Sequence, residues 1–418
     1  MTTADLLARR ERALGAGAQL FYEHPLTIVR GEGVWLYDDE GRRYLDLYNN
    51  VPCVGHAHPA VVEAMARQQA SLNTHNRYLH EGIIAFAERL ITLHESPAIE
   101  SVVFACTGTE AVEIALRMAR FATGKRGVVG TNATYHGNSE LVGALTRTDQ
   151  PRDANLRTIP FPQRYRPPTD AQAYLAHLNG AIEALERDGA GLAAFIVCPI
   201  FANEGLPDIP AGFMAAAAEK VRAAGGLIIA DEVQAGYGRT GRWWGYDLAS
   251  FTPDIVVTGK PMGAGLPLSA AAASRPLVEG FRAATRYFNT FSSSPLQAAV
   301  GMAVLDVIEA EGLVANAGAV GAKLKQALKD RMDASPYIGD VRGAGLFLGI
   351  EMVADKAGQT PDRARAVWLV NRLKDLGYLT SNAGAAGNVV KIRPPLTFSH
   401  ANAQAFLGAW DEAVAGLR

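Results

Sequence analysis

Cysteine is scarce in this chain, with Cys53, Cys106 and Cys198 the only three in 418 residues. They lie too far apart to form the closely spaced pairs of a structural metal site. Charge of either sign is not in excess: 40 basic and 42 acidic side chains leave a formal charge of −2. That removes the electrostatic case for nucleic acid or an anionic membrane surface. No apolar run approaches the roughly 20 residues of a bilayer span; the best, GLAAFIVCPIF, is short and holds a proline. The amino terminus, MTTADLLARRERALG, lacks a signal-peptide apolar core, and Asp5 and Glu11 argue against a transit peptide. H-E-x-x-H and G-x-S-x-G are absent, so zincin and nucleophile-elbow chemistry drop out. Neither repeats nor low-complexity tracts occur. The expectation is a reduced, cytoplasmic, metal-free protein without nucleic-acid or membrane partners.

What is present is globular material, 49% hydrophobic and 20% charged, long enough for one large domain and a smaller companion. From about residue 100 short apolar runs alternate with amphipathic ones. SVVFAC, RGVVGTN, LAAFIVCPI, LIIAD, DIVVTGK and LSAAAAS read as strands; EAVEIALRMARFATG and AGFMAAAAEKVRAAGG read as helices ending at glycine. Continuous apolar strands suit burial on both faces, hence a mainly parallel α/β sheet sandwiched by helices. Residues 28–48 suggest an antiparallel hairpin, 300–334 one long helical stretch, and the remainder an α+β unit. The predicted division is a large domain at 55–310 and a small one built from 1–54 and 311–418.

Gly236, Gly238 and Gly241 spell G-x-G-x-x-G directly after LIIAD, which raises a nicotinamide oxidoreductase as a distant alternative. A dinucleotide turn requires those glycines to open a helix and an acidic residue to follow some twenty positions later. Here RTGRWWGYD has no helical spacing, and the later position holds a lysine. VVTGKPMG also lacks the first glycine and the hydroxyl residue of a phosphate loop.

Four groups at strand ends are more informative. Thr107, Gly108 and Thr109 join a strand to a helix, offering either a phosphate seat or an ordinary cap. Tyr135 and His136 follow the next strand, where an aromatic could lie on a planar ring or simply face solvent. Asp231 closes LIIAD and Lys260 closes DIVVTGK. A buried terminal carboxylate needs a partner, and a desolvated lysine becomes nucleophilic. A phosphate cup, an aromatic face, a carboxylate and a lysine are together the requirements of pyridoxal phosphate.

On these residues, and on DEVQAGYGRTG followed by GKPMGAGLPLSA, the chain resembles the class III aminotransferases of the fold-type I pyridoxal-phosphate enzymes, over about residues 28–415. The resemblance implies a Schiff base on Lys260 and pairing of Asp231 with the ring nitrogen. It also implies Gln234 at the phenolic oxygen, Val233 against the ring face opposite Tyr135, and phosphate binding by Gly108 and Thr109. Thr290 would reach the phosphate of a neighbouring subunit, implying a homodimer with shared active sites; pairing into a tetramer stays open.

Departures from the family pattern concern the substrate. Cys198 and Asn203 stand where many ω-amino-acid members carry two glutamates, the second a gate partner for a carboxylate-binding arginine. Lys391 falls on that arginine, with Arg393 two residues on and on the same strand face. The bland role for Arg393 is an ion pair with an acidic side chain. NNV, VGHAHP and LNTHNRYLH resemble the branch holding alanine–glyoxylate aminotransferase-like proteins and phospholyases of ethanolamine phosphate or phosphohydroxylysine. Asn50, Val51, Arg77 and Tyr78 are therefore candidate pocket residues, although Arg77 could equally serve a surface ion pair. The implied activity is amino-group transfer from an amine or amino acid to a 2-oxo acid such as pyruvate. The alternative is a lyase acting on a phosphorylated amine.

Overall fold

The computed structural model describes residues 3–149, 151 and 153–417. Its centre is a seven-stranded sheet in the order Ser101–Ala105, Ser269–Ala273, Ile255–Thr258, Leu227–Asp231, Leu192–Val197, Gly127–Thr131, Leu156–Ile159. The last five run parallel to one another. Ser269–Ala273 is antiparallel to both its neighbours, so Ser101–Ala105 points the same way as the parallel five. Six strands thus present their carboxyl ends along one edge, where ligands of open α/β sheets bind.

Alternate residues face opposite layers, as the pleat requires. Val103, Ile196, Ile229 and Val257 pack in one core with Val112 and Leu116 of the helix Gly108–Thr123. Phe104, Phe195, Ile228 and Val256 pack in the other with Leu178 of Ala171–Arg187 and Phe213 of Phe213–Ala223. Each such side chain contributes about 1.5–3 kcal/mol on burial, which explains why the strands read as unbroken apolar runs.

The helix Gly108–Thr123 has defined ends. Thr107 caps it in a reciprocal box with Glu110, and Gly124 closes it with φ 66°. The helical stretch expected at 300–334 is two helices, Pro295–Ala310 and Leu313–Met332, because Gly312 takes φ 61° between them. Leu156–Ile159, an edge strand with half-buried central residues, lacks the apolar signature and went unpredicted.

A second layer of structure comes from both ends of the chain. Trp35–Asp38 and Arg43–Asp46 form the expected hairpin, extended by Ile28–Glu32 on one side. On the other side Tyr378–Leu379 adds in parallel to Arg43–Asp46. Ile338–Ala344, Phe347–Met352, Val389–Ile392 and Ser381–Ala383 make a separate antiparallel sheet. Among the described residues no helix is long and apolar enough to cross a membrane.

Candidate active site

The carboxyl edge of the central sheet converges on a cavity of about 200 Å³. Gly108, Thr109, Tyr135, His136, Asp231, Val233, Gln234 and Lys260 all line it, together with Gly137, Cys198 and Asn203. Residues far apart in sequence meet here because each follows the end of a neighbouring strand.

Asp231 ends Leu227–Asp231 and is buried. Its Oδ1 accepts the Val233 backbone N–H at 3.0 Å, and its Oδ2 lies 2.6 Å from His136 Nδ1. Lys260 follows Ile255–Thr258 by way of Gly259. A Cβ on Gly259 would sit 3.5 Å from Val233 and 3.6 Å from Gly108, ordinary contact distances that show how near the lysine-bearing turn lies to the helix start. Lys260 lines the cavity and is exposed to it. Desolvation by the surrounding protein lowers its pKa, Asp231 opposes the shift, and Arg393 adds to it.

The opposite wall is the helix start. Gly108 approaches the Val233 methyls so closely that a Cβ would come within 3.2 Å of them. Gly137 adopts φ 151°, and a Cβ there would lie 2.7 Å from Thr109 Oγ1. The Thr107 box satisfies the N-terminal cap without drawing on Thr109, whose hydroxyl donates to Asn138 Oδ1 at 3.1 Å. Of the two roles left open in the sequence, the cap belongs to Thr107, while Thr109 lines the cavity.

Gln234 is held at both ends. Its Oε1 accepts from Arg393 Nη1, and its Nε2 donates to Asn203 Oδ1 at 3.2 Å. Asn203 Nδ2 in turn donates to the Tyr135 carbonyl at 3.1 Å. Arg393 also donates from Nε to the Tyr48 carbonyl at 3.0 Å; its side-chain partners are thus a carboxamide and a carbonyl rather than a carboxylate. Lys391 and Arg393 share a face, their cationic groups 5.8 and 5.4 Å from the Phe347 ring centroid. Burial, with Arg393 and Lys260 as like charges, drives the Lys391 pKa well below its ordinary value.

The remaining candidates lie outside this cavity. Thr290 is exposed on the loop before Pro295–Ala310. Val51 is at the surface, Arg77 lies 3.9 Å over the Phe288 ring, and Tyr78 stacks on His75. Asn50 is buried. Sequence reasoning missed Gly137 and gave Thr134 no role, although Thr134 Oγ1 lies 2.7 Å from His136 Nε2; the signal was the run TNATYHG.

The G-x-G-x-x-G stretch binds no dinucleotide in this geometry. Cβ atoms on Gly236 and Gly241 would meet Trp244 at 3.0 Å and Gly318 Cα at 2.8 Å, so protein occupies the space a ligand would need. The nearest following helix, Gly245–Ala249, is only 5 residues long.

The model of the family described as "Aminotransferase class-III" matches residues 19–414. An alanine–glyoxylate aminotransferase 2-like protein of Drosophila melanogaster is 37% identical, over 100% of this chain and 88% of its own. An ethanolamine-phosphate phospho-lyase homolog of Caenorhabditis elegans is 31% identical, over 98% and 93%. Among solved structures, a phospholyase from Arthrobacter in complex with phosphoethanolamine superposes with TM-score 0.96 and 39% identity, covering 99% of this chain and all of the other. An aminotransferase of Bacillus anthracis gives 0.90 at 28%, covering 100% of both chains. With its lysine, carboxylate and helix terminus gathered in one cavity, the chain belongs to the class III aminotransferases, which are pyridoxal-phosphate-dependent enzymes.

Proposed function

We propose that the protein moves an amino group from an amine or amino acid to a 2-oxo acid such as pyruvate, in two half-reactions at one site. The observation that carries this reading is the convergence of Lys260, Asp231 and the Gly108–Thr123 helix start on one cavity.

Those residues fit pyridoxal phosphate. The free N–H groups at the helix start suit its phosphate, Asp231 a ring N–H⁺, Val233 and Tyr135 the ring faces, and Gln234 Nε2 the phenolic oxygen. When bound, the group supplies an electrophilic carbonyl and a conjugated ring that accepts an electron pair from the substrate's α-carbon. The protein does the rest. Partial desolvation leaves more of the Lys260 amine neutral than a fully hydrated lysine would have, so Nζ can act as nucleophile and then take or give a proton. His136 and the Val233 N–H fix the Asp231 carboxylate, while Arg393 and Asn203 hold the Gln234 amide plane. Borohydride reduction of the purified protein should add the cofactor's mass to the peptide containing Lys260; labelling elsewhere, or none, overturns this reading.

A second reading, phosphate elimination from a phosphorylated amine, is favoured by one observation. A cavity of about 710 Å³ lined by Tyr48, Arg147, Arg363 and Ser381 has, among the described residues, no Asp or Glu in its wall. It adjoins the cofactor cavity, since Arg147 N–H donates to the Thr134 carbonyl and Gly384 N–H to the Asn203 carbonyl. A surface cationic without compensation suits a phosphate dianion, in keeping with the phosphoethanolamine bound by the Arthrobacter relative. Donor plus pyruvate yielding alanine supports transfer. Inorganic phosphate released from phosphoethanolamine without any oxo acid supports elimination.

The proposal includes a homodimer in which Thr290 and the loop of Arg77 and Tyr78 serve the second subunit's site. The exposure of Tyr78, Leu79 and Phe291, 66%, 97% and 76%, supports that arrangement, because such apolar surface is costly in water. Light scattering tests it: a monomer that retains full activity removes it. Cytoplasmic residence is also proposed, and cell fractionation decides it; an Arabidopsis thaliana relative is named as mitochondrial.

A further inference from the structure

Asp231 is linked through His136 to a hydroxyl that no binding role yet accounts for. His136 Nδ1 is 2.6 Å from Asp231 Oδ2, and His136 Nε2 is 2.7 Å from Thr134 Oγ1. All three side chains are buried. An ionised carboxylate only accepts, so Nδ1 carries the ring proton on the Asp231 side. Nε2 is the only hydrogen-bond partner found for the Thr134 hydroxyl among the described residues. If Nε2 also carried a proton, the hydroxyl hydrogen would be buried with nothing to accept it, which is costly. The least costly arrangement has Thr134 donating to a bare Nε2, which leaves the ring neutral with its one proton on Nδ1.

From this geometry we propose that Thr134 is a positioning residue. Asp231 itself dictates which ring nitrogen carries the proton; Thr134 holds Nε2, and so fixes the plane of the ring whose Nδ1–H orients the carboxylate that faces the cofactor's ring nitrogen. Without the hydroxyl, Nε2 is buried with no partner and the ring can turn, loosening its bond to Asp231 Oδ2. This inference rests on the cofactor reading given above and adds to it the source of Asp231's orientation.

Thr134→Val tests it, since it removes the hydroxyl at nearly constant volume, with Thr134→Ser restoring a hydroxyl at the same place. The other titratable groups around Asp231 are Lys260, Glu232 and Cys198, and neither substitution alters them. Loss of one buried hydrogen bond predicts about tenfold weaker pyridoxal phosphate binding to the cofactor-stripped Val variant, read by fluorescence quenching. It also predicts a displaced pH midpoint for the bound cofactor's visible absorbance. The Ser variant should match wild type in both. A Val variant that binds and titrates as wild type does overturns the relay while leaving the cofactor assignment intact. Wild-type protein that binds no pyridoxal phosphate overturns both. Should Val fold poorly by circular dichroism, a Ser variant with the displaced midpoint would equally refute the proposal.

Discussion

Gly137→Ala is the sharpest test of where the phosphate sits. Gly137 has φ 151°, and an added Cβ would lie 2.7 Å from Thr109 Oγ1 and 3.0 Å from Thr109 Cα. The hydroxyl could rotate away, but the Cα belongs to the first turn of Gly108–Thr123, so backbone must shift. Overpacking plus a φ that side chains avoid costs about 2–4 kcal/mol. Displacement of the helix start should weaken pyridoxal phosphate binding by at least about tenfold, which is 1.4 kcal/mol, with the rest appearing as lower thermal stability. Gly180→Ala is the control. It lies within Ala171–Arg187 with nothing near its Cβ position, so alanine should stabilise by about 0.5–1 kcal/mol and leave the cofactor untouched. Equilibrium dialysis of stripped protein against the cofactor reads both. Wild-type affinity in Gly137→Ala would refute the assignment of the phosphate to this helix start.

Three other outcomes follow from the same structure. His94, stacked on Trp244 and bonded to the Tyr246 hydroxyl at 2.8 Å, has its pKa lowered by burial from 6.5 to about 3. Because the unfolded state takes the proton first, its stabilisation is complete above pH 6.5 and is lost as pH falls towards 3, at up to about 1.4 kcal/mol per pH unit; urea midpoints should show that slope flattened in His94→Asn. Asn203→Glu would place a carboxylate beside Gln234 within reach of Arg393, and should raise KM for anionic substrates by about tenfold or more in steady-state assays. Arg147→Gln should raise KM for a phosphorylated amine by about 10- to 100-fold, the worth of a charge-assisted hydrogen bond, while cofactor binding measured by dialysis stays unchanged.

The sequence made the cofactor edge readable because its chemistry sits where unbroken apolar runs stop. LIIAD ends in Asp231 and DIVVTGK in Lys260, and a charged residue terminating a doubly buried strand is hard to explain structurally. Other features were hidden for physical reasons. Leu156–Ile159 is an edge strand and need not be apolar throughout. Gly312 breaks a helix whose amphipathic pattern continues on both sides. The Arg393–Gln234–Asn203 chain depends on rotamers that no spacing encodes, and it takes the place of the ion pair that was the alternative to a substrate role for Arg393. Arg77 and Tyr78 belong to a motif in sequence but project from an exposed loop, outside the cavity at the sheet edge.

The glycines after Asp231 acquire a purpose in this geometry, though not the one their spacing suggests. Gly238 and Gly241 take φ 83° and 84°, turning the chain sharply enough to bury Arg239 between them. Arg239 donates to the Pro394 and Leu346 carbonyls, the first immediately beyond Arg393 and the second at the turn before Phe347–Met352. Burial and the nearby Arg393 charge push its pKa down to about 9, and its hydrogen bonds go to carbonyls instead of a carboxylate. Gly345 closes the same joint from the other side, for a Cβ there would lie 2.4 Å from the Arg239 carbonyl oxygen. A loop leaving the cofactor strand is thereby fastened to the strand that carries Lys391 and Arg393. The separation of Gln234, which lines the cavity, from Lys391 and Arg393 is therefore set by glycines that touch none of the three.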